Sequence, residues 1–190
     1  DLQAKLGIFD INRVENVGAT VGSELIQQAV MAIVLSWVLM IAYISMRFEF
    51  KFAIAAIIAL IIDVSVTLSY FSLFHMELDS SFVAALLTVV GYSVNGTIVI
   101  FDRIRENLKI HRRSESMADM IDNSIWQTMG RSIYTVGTSL FAVIAIFLWG
   151  GETIHNFAFA MLIGFSSGAY TSTLLAGPLW LFLRGKKVTD

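Results

Sequence analysis

The sequence has 190 residues, of which 56% are hydrophobic and 15% are charged, and its mean hydropathy is +0.73. A soluble domain of this length would be less apolar, so the composition indicates an integral membrane protein. The net charge of −2 argues neither for nor against nucleic acid, and the absence of cysteine excludes disulfides and thiolate metal sites.

Five apolar segments are long enough to cross about 30 Å of hydrocarbon, which takes roughly 20 helical residues. We predict an all-α integral membrane bundle with spans at 26–46, 52–74, 80–101, 125–149 and 157–183. Ten of the 13 Lys and Arg residues lie in the turn at 47–51, the segment at 102–113 and the tail at 184–187, all at one end of the predicted bundle. The loops at 75–79 and 150–156, at the other end, contain none. The positive-inside rule then puts the N-terminus outside and the basic regions in the cytoplasm.

This orientation assigns roles to the two ends of the sequence. We interpret residues 1–25 as the end of an extracytoplasmic domain or a junction, and residues 184–190 as a cytoplasmic tail. Five spans that start outside, with no signal-like segment before them, lead us to expect a further span upstream.

Two patterns concern the membrane surface. Apolar residues recur at helical spacing between the third and fourth spans, which predicts a short amphipathic helix lying along the surface. These residues are Met117, Met120, Ile121 and Ile125. Four tryptophans lie mostly near predicted span ends and are interpreted as interface anchors. They are Trp37, Trp126, Trp149 and Trp180.

Two ionisable residues lie within predicted spans. Asp63 lies on the order of 16 Å from the end of its span, where a lone carboxylate costs several kcal/mol unless it is paired or protonated. It is either a neutral acid in a packing hydrogen bond or a member of a proton relay. Arg131 either extends to the headgroups or faces the bundle interior, where it needs an acidic or carbonyl partner. That partner is either Asp63 or a group on another chain.

The third span interrupts its apolar run with small and polar residues and then leads directly into a charged segment. The polar set is Gly91, Tyr92, Ser93, Asn95 and Gly96, and the charged set is Asp102, Arg103, Arg105, Glu106 and Lys109. Asn95 is either an interhelical hydrogen-bonding group or part of a polar path. The glycines, with Gly137 and the Gly164–Gly168 pair, indicate close helix packing.

The sequence contains no phosphate loop, no zinc-protease motif and no Ser/His/Asp set. His75, His111 and His155 fall in separate loops, so we expect no metal site. We therefore expect neither an enzyme nor a cofactor.

The stretch GYSVNGTIVIFDRIRE at 91–106 resembles the signature of SecF-type subunits in the SecD/SecF family of protein-export proteins. Further segments resemble the same family and extend the likeness to essentially the whole chain. They are VGATVGSEL at 17–25, RFEFKFAIAAIIALIIDV at 47–64, Asn123, Ser124, Gln127 and Thr128 before Arg131, GTSL at 137–140 and GGETIHNFAFAMLIGFSSGAYTS at 150–172.

The resemblance implies half of a fold of the RND permease kind, in which SecF-type and SecD subunits contribute six spans each. It implies that a first span and most of an external domain belong upstream, and that the protein lies in the bacterial cytoplasmic membrane. The implied function is to assist polypeptide translocation with the proton-motive force. The implied partners are SecD, the SecYEG channel, YidC as a further candidate, the preprotein and membrane lipid, without nucleic acid.

By the same resemblance, Arg131 matches the family's intramembrane arginine and Asp63 its third-span acid, and both are candidates for ion coupling with Asn95. The family usually has an acid at the position of Gly96, and glycine cannot carry a proton. Reliance on other groups, an engineered change and a different coupling ion all stay open. The alternative functions are an RND-type exporter of small molecules or lipids and a structural subunit without ion coupling.

Overall fold

A computed structural model of the protein describes residues 19–110 and 116–185, which are almost entirely helical. Four long helices come first: α1 (Ala19–Arg47), α2 (Phe50–Leu73), α3 (Ser80–Ile110) and α4 (Met117–Trp149). A 3₁₀ turn at Glu152–Ile154 leads into α5 (His155–Tyr170), a π-helical turn (Thr171–Leu175) and α6 (Ala176–Arg184). In this part of the chain five segments are long and apolar enough to cross a membrane, which confirms the predicted all-α bundle.

Some of the predicted features involve residues that the structure does not describe. Residues 1–18 of the junction, His111, the basic pair Arg112 and Arg113, and the tail beyond residue 185 lie outside the described residues. The described end of the junction, 19–25, is helical and continuous with the first span.

The centre of the bundle is formed by α2, α3 and α5. Half of the apolar span of α2 is buried by its neighbours, whereas only 6% is buried in α1 and in α4. Ala53, Ala55, Ala56 and Ala59 of α2 are fully buried, and such small side chains let neighbouring helices approach closely. The two outer helices therefore present apolar surface to lipid or to a partner.

The most extensive interface joins α3 to α5. A Cβ at Gly164 would fall 2.6 Å from Cγ1 of Val89, and one at Gly168 would fall 3.0 Å from Cβ of Ser93. Both distances are too short for ordinary contact, so the predicted close packing at this glycine pair is confirmed. The environments of Gly91 and Gly137 are open within 4 Å, so these two glycines are not needed for a close approach.

The fourth span does not begin with a separate surface helix. Residues 117–149 form one continuous helix, because no glycine or proline interrupts its first three turns and Ser116 accepts a capping hydrogen bond from the Asp119 N–H. Met120, Ile121 and Ile125 are buried in the main apolar cluster instead of facing lipid. The prediction of a surface helix is wrong because these side chains have a protein partner.

The interpretation of Trp180 as an interface anchor is also wrong. Its indole is fully buried and stacks on the Phe52 ring with centroids 4.5 Å apart, while Phe101 meets Phe52 edge-on at 4.8 Å. Trp126 and Trp149, in contrast, are 73% and 79% exposed and so remain available to the membrane interface.

We predict that Gly164→Ala lowers the free energy of unfolding by about 1–3 kcal/mol, because the new methyl group overlaps Val89 and overpacks the α3–α5 interface. Denaturation in mixed micelles measures the change. Gly91→Ala is the matched control, since its Cβ meets open space. Adding Val89→Ala to Gly164→Ala is expected to recover part of the loss, and a loss that persists unchanged would contradict the packing explanation.

Candidate functional site

A single buried carboxyl lies at the middle of α2. Asp63 is fully buried, and its Oδ1 accepts hydrogen bonds from Ser167 Oγ at 2.7 Å and Thr171 Oγ1 at 2.8 Å. Its Oδ2 accepts from Ser93 Oγ at 2.5 Å and from Thr171 Oγ1 at 3.0 Å. Hydroxyls from α3, α5 and the π-helical turn thus converge on one carboxyl, and we call these four residues the carboxyl cluster.

The π-helical turn positions the hydroxyl of Thr171. The Ala176 N–H donates to the carbonyl of Thr171, which is five residues earlier, whereas the acceptor in an α-helix is four residues earlier. Pro178 follows, and because it has no N–H and its ring crowds the carbonyl of Leu174, the α-helical pattern cannot run regularly through this turn. The wider turn places the three hydroxyl-bearing residues 171–173 in succession at buried positions.

The cluster can hold its carboxyl in either protonation state. A hydroxyl group both donates and accepts hydrogen bonds, so three hydroxyls can donate to an ionised carboxylate. After protonation one of them can rotate and accept from the acid. A charge at this depth in a membrane is costly, and hydrogen bonds to the ionised form offset part of that cost. A proton can therefore arrive or leave without repacking the helices.

A polar cleft lies beside the carboxyl cluster, between α3, α4 and the π-helical turn. It is lined by Tyr92, Ser93, Asn95, Gly96, Val99, Arg131, Ser132, Thr135, Val136, Gly168, Ala169, Ser172 and Thr173. Its volume of about 50 Å³ is room for roughly three water molecules. Ser93 lines the cleft and also donates to Asp63, so one side chain connects the two features.

Three of the four positions considered for ion coupling in the sequence, Asn95, Gly96 and Arg131, meet at this cleft. Arg131 and Asn95 have exposed side chains on its wall. Across residues 19–110 and 116–185, Arg131 forms no ion pair, so the structure does not form the Asp63–Arg131 pair that was one of its two alternatives. Gly96 packs against the π-helical turn, because a Cβ there would lie 2.9 Å from Ser172 Oγ.

The charged signature lies away from the carboxyl cluster. Arg103 is ten residues beyond Ser93 on α3, about 15 Å at helical rise, and donates to Glu106 at 2.6 Å and to Gln127 at 2.5 Å. Asp102 and Arg105 are exposed. The signature therefore contributes to the α3–α4 contact at the end of the bundle.

Several residues of these sites were not singled out by sequence reasoning. Ser167 and Thr171 are one helical turn apart in an apolar span, which is a weak signal for two hydroxyls on one face. Asn107, whose amide donates to Ser124 at 2.7 Å and Gln127 at 3.0 Å, adds to the α3–α4 contact. Hydroxyls in membrane helices commonly bond to their own backbone, so their role here needed the fold.

These features define a multi-pass, all-helical membrane protein with a hydroxyl-bound carboxyl at its centre. The family described as protein export membrane protein SecD/SecF, C-terminal, matches residues 2–186. The chain belongs to this family, which confirms the resemblance of its signature span. It is a multi-pass protein of the bacterial cytoplasmic membrane.

Individual relatives agree with this assignment. The chain is 72% identical to the protein translocase subunit SecF of Acidaminococcus fermentans over 186 residues, which is 98% of this chain and 64% of the relative. It is 49% identical to that of Vibrio alginolyticus over 92% of this chain and 55% of the relative. The chain thus spans less than two thirds of the relatives it matches.

The fold of this chain is similar to part of two solved structures of SecDF. The structure of SecDF from Thermus thermophilus, described as translocon-associated, gives a TM-score of 0.82 at 37% identity, covering 88% of this chain and 23% of that one. SecDF in a super-membrane-facing form gives a TM-score of 0.79 at 34% identity, covering 88% and 22%.

We predict that Thr171→Val lowers the free energy of unfolding by about 1 kcal/mol, because a membrane-buried carboxyl loses one of its hydroxyl donors. Thr138→Val is the matched control, since the exposed Thr138 hydroxyl bonds to the carbonyls of its own helix. A double-mutant cycle with Asp63→Leu, which removes both acceptor oxygens, measures the coupling. Purely additive losses would show that Thr171 does not stabilise Asp63.

Proposed function

We propose that the protein is a SecF-type subunit that assists polypeptide translocation across the cytoplasmic membrane, using the proton-motive force together with SecD. The observation that carries the proposal is the carboxyl cluster, connected through Ser93 to a polar cleft that holds Arg131. Family membership supplies the export function, and the cluster supplies a group able to bind a proton at the membrane centre. The translocating preprotein, the SecYEG channel and YidC are the further partners of this role.

The proposed proton route runs from the cleft to Asp63. Water in the cleft reaches Ser93, whose hydroxyl both accepts and donates, so a proton passes to the carboxyl by rotation of that hydroxyl. Arg131 lies on the wall of the cleft, where its guanidinium group can pair with an acidic group of SecD. Asn95 offers an amide along the same wall. No step requires Gly96.

The proposed docking face for SecD is the outer side of α4. Only 6% of the α4 span is buried, and Trp126, Ile133, Tyr134 and Phe141 are all at least 60% exposed. An apolar groove of about 430 Å³ continues from the cleft between α4 and the π-helical turn. Arg131, unpaired within the described residues, lies on this open side, where an acidic group of SecD would complete its ion pair.

We also propose the orientation and domain limits expected from the sequence. The basic residues at the α1–α2 turn and at the end of α3 favour the cytoplasm for that end of the bundle. Residues 1–25 then form the end of an extracytoplasmic part, residues 26–183 the transmembrane bundle, and residues 184–190 a cytoplasmic tail.

A structural subunit without ion coupling is the second candidate, and Gly96 favours it. The family's usual acid is absent there, and Ser172 occupies the space next to the glycine. In this candidate the carboxyl cluster only joins α2, α3 and α5.

Asp63→Asn is expected to abolish the stimulation of preprotein translocation by a proton gradient, because an amide cannot take up and release the proton. The measurement compares translocation into membrane vesicles containing the full subunit and SecD, with and without a protonophore. Asp122→Asn, at an exposed acid of α4, is the matched control and should retain the stimulation. If Asp63→Asn keeps the full stimulation, the effect of the gradient does not depend on this carboxyl, which would favour the structural subunit without ion coupling.

Arg131→Gln is expected to reduce the same stimulation to the level of vesicles that lack the subunit, because the subunit loses the guanidinium group that pairs with an acidic group of SecD. Arg131→Lys keeps a cation at the site and should retain part of the effect. If Arg131→Gln supports gradient-dependent export at the wild-type level, Arg131 has no place in the mechanism.

Gly96→Asp separates the two candidates further. The new side chain displaces the Ser172 hydroxyl and puts a carboxyl at the edge of the cleft. Under the coupled mechanism proton flux through vesicles should stay near the native level, since the native route already uses Asp63. A large gain in flux would indicate that the native site is uncoupled and that the acid restored it.

A further inference from the structure

We propose that the basic end of the bundle contains a binding site for the phosphate of an anionic phospholipid. The site is a pocket between the α1–α2 turn and the last two turns of α3. It is separate from the carboxyl cluster and from the outer face of α4.

The pocket has the size and lining of a headgroup site. It has a volume of about 380 Å³, and its walls are Arg47, Phe48, Glu49, Phe52, Arg105, Leu108 and Lys109. The two phenylalanines are buried and Leu108 is half-buried, so they form a fixed apolar floor. The floor leaves the charged groups at the rim.

The charges at the rim favour an anion. Arg47, Arg105 and Lys109 contribute three positive charges against the one negative charge of Glu49. Arg105 and Lys109 are four residues apart and thus share one face of α3. None of these side chains forms an ion pair within residues 19–110 and 116–185, although Arg105 lies over the Phe48 ring at 5.6 Å. The cations are therefore available to a ligand.

Backbone groups add to the attraction. The helix α2 begins at this pocket, and the side chain of Glu49, its N-cap residue, makes no capping hydrogen bond. The first N–H groups of a helix have no acceptor within the helix, and its N-terminus carries partial positive charge. The Phe52 N–H already donates to the Glu49 carbonyl at 2.9 Å, so the attraction for a phosphate comes from the partial positive charge of the helix end and from the N–H groups before Phe52.

The choice of a lipid over a soluble anion or an acidic peptide rests on α1. An exposed apolar stripe on this helix has four-residue spacing and ends at Arg47, and it winds around the helix because each step advances about 40° about the axis. Its members are Met31 (64% exposed), Leu35 (58%), Leu39 (61%) and Tyr43 (55%). Leu39 and Tyr43 are the members nearest to Arg47 around the helix, so an acyl chain can contact them while its phosphate occupies the pocket, as basic pockets between membrane helices bind anionic headgroups.

The test measures binding of phosphatidylglycerol and of phosphatidylcholine to the full purified subunit by native mass spectrometry. Arg105→Gln should weaken phosphatidylglycerol binding about fivefold, and the triple change of Arg47, Arg105 and Lys109 to Gln should remove the preference over phosphatidylcholine. Arg105→Lys keeps the charge and should retain the preference. Arg103→Gln is the matched control, because Arg103 lies on the same helix but bonds to Glu106 and Gln127.

Two further probes distinguish the source of the phosphate. Glycerol 3-phosphate and a polyglutamate peptide, each at the lipid concentration, should not displace phosphatidylglycerol, because neither can occupy the apolar stripe. Displacement by either probe, or an equal loss of binding in Arg103→Gln and Arg105→Gln, would overturn the lipid assignment. Thermal unfolding of each variant checks that binding losses do not come from unfolding.

Discussion

The arrangement of the central helices depends on supplying hydrogen bonds to one carboxyl group in a low-dielectric interior. Asp63 is fully buried and has no contact with the solvent, so the protein itself must supply the hydrogen bonds to its carboxyl group. Asp63 receives these bonds from three hydroxyls on α3, α5 and the π-helical turn. This requirement fixes the rotation of each element about its axis, since a turn of a few tens of degrees would remove a donor.

The glycines and the π-helical turn serve this same requirement. Gly164 and Gly168 let α5 approach α3 closely enough for Ser93 and Ser167 to reach opposite oxygens of Asp63. The π-helical turn brings Thr171 against both oxygens at the point where Pro178 prevents regular α-helix. π-Helical turns are frequent at functional sites, and here the irregular backbone places the only donor that contacts both carboxyl oxygens among the described residues.

Charged side chains of the bundle lie in two separate regions, at mid-membrane and at the basic end. At mid-membrane, Asp63 is enclosed and Arg131 is open on the cleft wall, so the two ionisable side chains lie in adjacent but different environments. At the basic end, Arg103 and Asn107 hold α3 to α4, while Arg105 and Lys109 face a pocket with no acid but Glu49 on its rim. Neighbouring residues of one charged segment thus have different roles, because helical rotation points them to different sides.

Hydropathy alone determined the class, the five spans and the depth of Asp63, because runs of about 20 apolar residues have one stable state in a bilayer. The signature at 91–106 determined the family. Sequence patterns misplaced Trp180 and residues 117–125, since periodicity shows that a face is apolar but not whether lipid or protein covers it. The tertiary structure alone decided the hydroxyl partners of Asp63 and the separation of Arg131 from it. Those contacts join residues up to 108 positions apart, and no local pattern encodes them.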